Sequence, residues 1–373
     1  MGKHLVLVGG GHAHMMTLAG IATLTGRGHR VTVVGPSEHH YYSGMGPGML
    51  GGTYTPGDIR FRTRHVVEKQ GGRFLLGSVE RIDPDARRLF LASGATVDYD
   101  VASFNAGSHV STNAVDIAAD QPVFMAKPIE RLMEARRHLL ERCASEAVRI
   151  GIVGGGPSAV EISGNVWQLA RDSGGHLPDI HILTGGRMME GFPESVRSRV
   201  LAVLDRRGIR IVEGDYVRAI RDGRITTASG RSLATDLVFL AMGVKPSGIF
   251  SASGLPTGPD GGLQVNRFLQ CPAHPEIFGG GDCIHFADQP LDKVGVYAVR
   301  QNPVLLHNLT AALEGGGLVP FDPGGDYLLI FNLGGGVGVL RKRSITFGGR
   351  AAFWIKDVID RKFMRKFQAI EAP

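Results

Sequence analysis

The segments "HLVLVGGGHAHMM" (residues 4–16) and "RIGIVGGGPSAVE" (residues 149–161) decide the fold. Each joins a short apolar, β-branched run to three consecutive glycines and then to a helix-like segment. Each is followed by a second apolar run, "HRVTVVG" at 29–35 and "DIHILTG" at 179–185, so each has about the ~30-residue length of a βαβ unit. A continuous apolar run marks a parallel strand covered on both faces, and a glycine turn at its end lets backbone N–H groups approach phosphate. Two such units in order predict an α/β fold. It comprises two Rossmann-like dinucleotide-binding domains with parallel sheets and antiparallel hairpin insertions, followed by a C-terminal β/α segment.

The second loop has the full set of small residues. Gly154 makes the tight turn, Gly156 admits a pyrophosphate, Pro157 opens the helix, and Ala159 lets helix and strand approach closely. The first loop, Gly9, Gly10 and Gly11, has His14 at that third position. The bulky ring predicts either a slightly displaced first helix or a histidine turned toward a cofactor. His12 and His14 could both face phosphate oxygens, or pack against the neighbouring strand.

Neither unit has the acid that usually holds a ribose hydroxyl at the end of the return strand. Gly35 stands there in the first unit, and Glu38 arrives three residues late. In the second, Gly185 and Gly186 lead to Arg187; an arginine without a carboxylate suits a 2′-phosphate and favours NADPH, unless it is simply a solvated surface residue.

Bulk properties narrow the function. The 373 residues suit two domains; 43% are hydrophobic and 20% charged, as in ordinary globular proteins. No apolar stretch reaches the ~18 residues of a membrane span, and no signal-peptide h-region precedes the first strand, so a cytoplasmic protein is expected. The net charge is +6 with pI 9.3, but basic residues are dispersed except in the tail, which disfavours nucleic acid as a partner. Cys143, Cys271 and Cys283 lack C-x-x-C or C-x4-C spacing, so no metal site and no local redox disulfide is expected.

Other segments supply the rest of a cofactor crevice. "RFLLGSVERIDPDARRLFLASGATVDYD" reads as antiparallel hairpins and leads to "VASFNAGS", with Ala106 and Gly107 at a strand end. "DLVFLAMGVKPS" is a buried strand stopping at Gly243. "PEIFGGGDCIHF" carries an apolar strand into Gly281 and Asp282, placing a carboxylate where ligands of open α/β sheets bind. "KVGVYAVRQNPVLLHNL" reads as a helix starting near Gly295, with Tyr297 and Ala298 in its first turn.

This order of glycine loop, second glycine loop, "AMG" strand end and "GGGD" strand resembles the FAD-dependent pyridine nucleotide-disulfide oxidoreductase superfamily. "YYSGMGPGMLGGTYT", "GVYAVRQNP", "YLLIFNLGGGVGVL" and "FWIKDVIDRKFMRKF" look like its NADH dehydrogenase-like branch. That branch holds type II NADH:quinone and sulfide:quinone oxidoreductases and forms fused to selenophosphate synthetase. The resemblance implies FAD with its pyrophosphate on Gly9 to Gly11, its ribityl chain at Asp282 and its ring near Gly46, Pro47 and Gly48. NAD(P)H would use Gly154, Gly156 and the helix carrying Glu161. "SGMGPGMLGG" has no cysteine where disulfide-bearing members have C-x4-C. The flavin carries the chemistry, so no catalytic side chain is required; Glu161 and Pro47 are the candidates.

"RAAFWIKDVIDRKFMRKFQAI" spaces Ile355, Ile359, Phe363 and Phe367 at four-residue intervals, with Ala352, Val358 and Met364 beside them. Lys356, Arg361, Lys362, Arg365 and Lys366 are expected opposite, with Asp357 and Asp360. Such a helix covers its own core or a homodimer partner, or lies on an anionic membrane at the inner face with Trp354 at headgroup level. Electron passage from NAD(P)H through flavin to a quinone is the leading reading. The alternatives are sulfide or another sulfur or selenium donor passing electrons to quinone, and a non-catalytic FAD-binding sensor or assembly protein.

Overall fold

Two parallel five-stranded sheets carry the two glycine loops, and they share one plan. The first runs in the order Ile277–Gly279, Val101–Phe104, His4–Val8, Arg30–Gly35, Arg73–Leu76. The second runs Val123–Met125, Leu237–Leu240, Arg149–Val153, Asp179–Leu183, Arg210–Val212. In this computed structural model, which describes residues 2–372, both glycine-loop strands are central and pair in parallel with their return strands. The registers end at Val8↔Val34 and Val153↔Leu183, so each loop leaves its sheet at the carboxyl edge. The α/β class with antiparallel insertions read from the sequence is the class observed.

Central position follows from composition. Leu5, Val6 and Leu7 are wholly buried, as are Ile150 and Ile152 to within 1%, so these strands need neighbours on both edges and cover on both faces. Each such side chain contributes about 1.5–3 kcal/mol of burial, against a backbone ordering cost of similar size. A three-stranded antiparallel sheet, Val79–Asp83, Arg88–Leu91 and Thr96–Asp98, accompanies the first parallel sheet. The stretch before it differs from the hairpin expected: Arg73–Leu76 is the parallel edge strand of the first sheet, paired with Arg30–Gly35. A second set follows in the other unit, where Val217–Arg221, Arg224–Thr227 and Ser232–Ala234 are antiparallel and Asp116–Ile117 adds in parallel to the first of them.

The helices after the two loops differ. Pro157–Asp172 is one continuous helix, whereas the first loop leads into a 3-10 turn at His12–His14 and two short helices, Met15–Ala19 and Ile21–Gly26, meeting at Gly20. Asn302, from the helix Gly295–Glu314, holds the broken start: its side chain accepts from Met16 N–H at 2.8 Å and donates to the His12 carbonyl at 2.6 Å.

The chain ends in an antiparallel sheet of Leu329–Asn332, Gly338–Lys342 and Ile345–Gly349, then the helix Arg350–Gln368. The side of that helix facing the protein matches the expected apolar stripe only in part: Ala352, Phe363, Met364 and Phe367 lie on it, but two charged residues join them and two aliphatic ones do not. Ala352, Lys356, Asp360, Met364 and Phe367 are buried, while Val358 and Ile359 are exposed. A buried Lys–Asp pair at i,i+4 satisfies itself, so two charges can occupy the inner face and leave aliphatic groups outside.

Candidate functional site

The first glycine loop forms the floor of a cleft of about 420 Å³ at the carboxyl edge of the first sheet. This is within the range of small-molecule sites, roughly 300–1,000 Å³. Gly9, Gly10, Gly11 and His12 line it, as do Ala106, Gly107, Gly281, Asp282, Gly295 and Ala298. The sequence analysis named all ten, and folding brings them together from four separated segments.

Local chemistry explains the cradle. Gly9 has φ +91°, and a Cβ there would run into the Asn105 carbonyl, so only glycine fits. A Cβ on Gly11 would run into the Asn105 side chain. That side chain braces the turn, accepting from Ala13 N–H at 3.2 Å and donating to the Gly280 carbonyl at 2.7 Å. Gln301 accepts from Gly281 N–H at 2.7 Å. The loop is therefore held by buried amides from other segments and leaves its own N–H edge to the cleft.

On the far wall, Asp282 accepts from Lys127 Nζ and Ser108 Oγ, both at 2.7 Å. Burial alone would raise its pKa, but Lys127 and Ser108 hold it lowered and so ionised. His12 is buried and lines the cleft, with Nδ1 3.3 Å from His40 Nε2 and Nε2 without a partner. Burial, then His40 and Lys127, push its pKa well below the ordinary histidine value, so the ring is neutral. A glycine cradle too tight for a Cβ, an orphaned ring nitrogen and a wall carboxylate fit a pyrophosphate bearing a polyol.

Several expected residues lie elsewhere. His14 does not line the cleft: it is wholly buried, donating through Nδ1 to the Gly9 carbonyl at 2.7 Å and accepting at Nε2 from Ser103 Oγ at 2.8 Å. It is a strut beneath the loop, because two unpaired carbonyl and hydroxyl groups there need a partner. Glu38 turns outward to Arg64 at 2.7 Å, while its neighbours Ser37 and His39 line the cleft. Tyr297 faces a separate small cavity and the ring of Tyr327. Gly46 and Pro47 are buried off the cleft wall; a Cβ on Gly46 would sit 2.7 Å from Ile129, so this turn packs against helices.

In the second unit Gly154 has φ +141°, and a Cβ would meet the Ala241 carbonyl, the counterpart of Gly9 against Asn105. The space beside Gly156 is open, at the start of the helix Pro157–Asp172. Ala159 is fully buried in helix–strand packing, and Gly243 is exposed with open space around it, beyond the strand Leu237–Leu240. Arg187 is spent on an exposed ion pair with Glu194 at 2.9 Å.

Glu161 points away from both loops, into a buried charged cluster that sequence reading missed. Its carboxylate accepts from Asn332 N–H at 2.7 Å. Lys356 donates to the Gly44 carbonyl at 2.9 Å and to Asp360 at 2.7 Å, and Tyr42 O–H donates to Asp360 at 3.1 Å. Burial pushes Glu161 up to about 7 despite Lys356, while Asp360 and Glu161 keep Lys356 protonated. The signal available in the sequence was the i,i+4 pair Lys356/Asp360, which reads equally well as a surface pair.

Among the described residues no group of three or more histidine, cysteine or acidic side chains is placed to hold a metal, and no helix is long and apolar enough to cross a membrane.

Known proteins share this arrangement. Residues 3–309 match the family described as pyridine nucleotide-disulphide oxidoreductase. The chain is 27% identical to ferroptosis suppressor protein 1 of Taeniopygia guttata over 280 residues, 72% of this chain and 71% of that one. It is 23% identical to a type II NADH:quinone oxidoreductase of Staphylococcus saprophyticus over 399 aligned positions, covering 99% of this chain and 96% of the relative. The fold is shared with NDH2 of Plasmodium falciparum solved with NADH, at a TM-score of 0.82 and 13% identity over 100% of this chain and 97% of that one. Two glycine loops on sheets of one plan, joined to a family match that spans both, place the chain in the pyridine nucleotide-disulphide oxidoreductase family.

Proposed function

We propose that the protein is an FAD-dependent oxidoreductase passing electrons from NAD(P)H to a quinone without a redox-active disulfide. The observation carrying this reading is the glycine-floored cleft, which no cysteine lines. Residues 1–115 and 246–320 would form a discontinuous FAD-binding domain, 116–245 the NAD(P)H-binding domain, and 321–373 a C-terminal region. Gly9 to His12 would hold the pyrophosphate, and Ser108 and Asp282 would meet the ribityl hydroxyls. Bound FAD supplies a two-electron carrier between hydride donor and acceptor.

The overall change is NAD(P)H, one proton and quinone giving NAD(P)+ and quinol, so one proton must come from outside the transferred hydride. Glu161 lies off the cleft in a buried cluster whose Tyr42 ring packs 5.0 Å from His12 on the cleft wall, and with its carboxyl raised to about 7 it would hold and release that proton at neutral pH. The near-full-length likeness to a type II NADH:quinone oxidoreductase supports the acceptor. Sulfide chemistry is the weaker reading: all three cysteines are buried, and burial pushes Cys283 up to about 11, far from a reactive thiolate.

The C-terminal region supports contact with a membrane surface. Trp354, Val358 and Ile359 are 65%, 44% and 45% exposed, and Lys362, Arg365 and Lys366 follow them on the solvent side of the helix. An outward aliphatic and indole patch beside basic residues suits anionic headgroups, where a lipid-soluble quinone is at hand.

The test is an anaerobic titration of purified protein, followed at the flavin band near about 450 nm. Bleaching by NADH or NADPH and recovery on adding a quinone are expected. A flavin that neither nucleotide bleaches would overturn the donor, and bleaching by sulfide alone would select the other reading.

A further inference from the structure

The return strand of the second unit, Asp179–Leu183, ends in Thr184, Gly185 and Gly186, with no acid where a ribose is usually held. Folding brings one there from further along. The chain doubles back after Arg187: Met188 N–H donates to the Glu213 carboxylate and Met189 N–H to the Gly155 carbonyl, both at 2.6 Å. Met189 takes φ +54° to do so. The hairpin bend carries Glu190 over Gly186, where a Cβ would stand 2.8 Å from Glu190 Oε2. Glu190 is exposed and makes no side-chain hydrogen bond or ion pair among the described residues, unlike Glu194 and Glu213, which are taken by arginines.

Beside it, the ring of Tyr216 lies on the backbone of Gly185 so closely that no Cβ would fit, yet the residue is 62% exposed. A flat aromatic face and an unengaged carboxylate thus flank the two glycines at the mouth of the second loop. Arg187, the one feature of the sequence that pointed to a 2′-phosphate, is turned to Glu194.

We infer that Glu190 and Tyr216 form the adenosine seat of the second unit and make it select NADH over NADPH. This rests on the proposed binding of a nicotinamide nucleotide at Gly154 and Gly156. An ionised carboxylate accepts hydrogen bonds from the ribose 2′- and 3′-hydroxyls. A 2′-phosphate, with about −1.5 to −2 charge, has no donor to offer it and is repelled. The Tyr216 face gives the adenine a surface to stack on.

The experiment has two arms, on the flavin-loaded full chain. In the first, flavin bleaching is followed with NADH and NADPH for the wild type, E190Q, E190D and Y216A. The wild type is expected to prefer NADH by about a hundredfold in kcat/KM. E190Q should raise KM for NADH about tenfold with little change in kcat and narrow the preference about tenfold. E190D should retain part of the preference, and Y216A should weaken both nucleotides alike. In the second arm, calorimetry compares ADP-ribose with its 2′-phosphorylated form on the wild type and E190Q. Equal use of both nucleotides by the wild type, or a preference that E190Q leaves unchanged, overturns the inference. If neither nucleotide bleaches the flavin, the donor reading fails. The seat is then judged by the second arm, where equal binding of the two ligands overturns it.

Discussion

The two glycine loops begin from the same pattern, an apolar strand running into three glycines, and end as different machines. Both emerge at the carboxyl edge of a central parallel strand, and both need a glycine where a Cβ would strike the carbonyl of a neighbouring strand end, Asn105 for Gly9 and Ala241 for Gly154. Beyond that point they diverge. The first is underpinned by His14, Asn105 and Asn302, three buried polar side chains that tie it to other segments, while Gln301 holds Gly281 beside it. The second is underpinned by Ala159 and one unbroken helix, with open space beside Gly156. A loop fixed by side chains from elsewhere suits a resident group, and a loop left open suits a ligand that comes and goes.

The strongest way to break this contrast is at the glycines. G9A forces alanine to φ +91° and into a backbone carbonyl, so the purified protein is expected to lose at least about tenfold of its flavin, read from the ratio of flavin to protein absorbance. G154A meets the same obstacle in the second unit, yet it is expected to keep its flavin and to raise KM for the nicotinamide nucleotide about tenfold. Equal flavin loss in both variants would erase the distinction between the loops.

Acid sharpens the comparison next. His14 and His40 sit by the first loop and are held down to about 4 by burial, against 6.5 for the free group. Both are neutral in either state above pH 6.5, so their effect appears only below it. As pH falls from 6.5 toward 4 the unfolded chain takes up protons that the folded one refuses, and stability drops by up to about 3 kcal/mol per histidine. Flavin release between pH 6 and 4, monitored by flavin fluorescence, is expected in the wild type. H14N, which keeps one donor, should lower the melting temperature at pH 7.5 while making the acid loss shallower.

The smallest effect is expected at Glu161, seven residues after Gly154, where the first unit has Met16 seven residues after Gly9. E161Q removes the group raised to about 7. Stopped-flow measurement should find flavin reduction within about twofold of wild type, with quinone-driven reoxidation several-fold slower and its pH dependence near 7 flattened. Unchanged reoxidation at every pH would remove Glu161 from proton delivery.

The legible part of the molecule was the part written in contiguous residues. Strand, glycine turn and helix in each unit, the "GGGD" strand end and the helix from Gly295 are all short-range patterns, and ten cleft-lining residues were read from them. The misplaced residues were those whose orientation depends on a distant partner. Glu38 is drawn out by Arg64, and His14 is drawn in by Ser103.

The C-terminal helix makes the same point through periodicity. Two stripes along it have helical spacing, and the aliphatic one is the natural choice for burial. The chosen stripe holds Lys356 and Asp360 because Gly44, Tyr42 and Glu161 wait for them on the other side.

By itself, then, the sequence determined two dinucleotide-type units, their order and the absence of cysteine from the stretch 43–52. These follow from steric rules that act within a few residues, where only glycine survives a positive φ and only apolar runs survive between two sheets. Tertiary structure alone decided which polar side chains face the cleft, which brace it, which charges are buried together and that Glu190 lies over Gly186. Those outcomes turn on contacts made across the fold: Ser103 for His14, Asn332 and Lys356 for Glu161, and Glu213 and Gly155 for the bend that carries Glu190, each tens to hundreds of residues away along the chain.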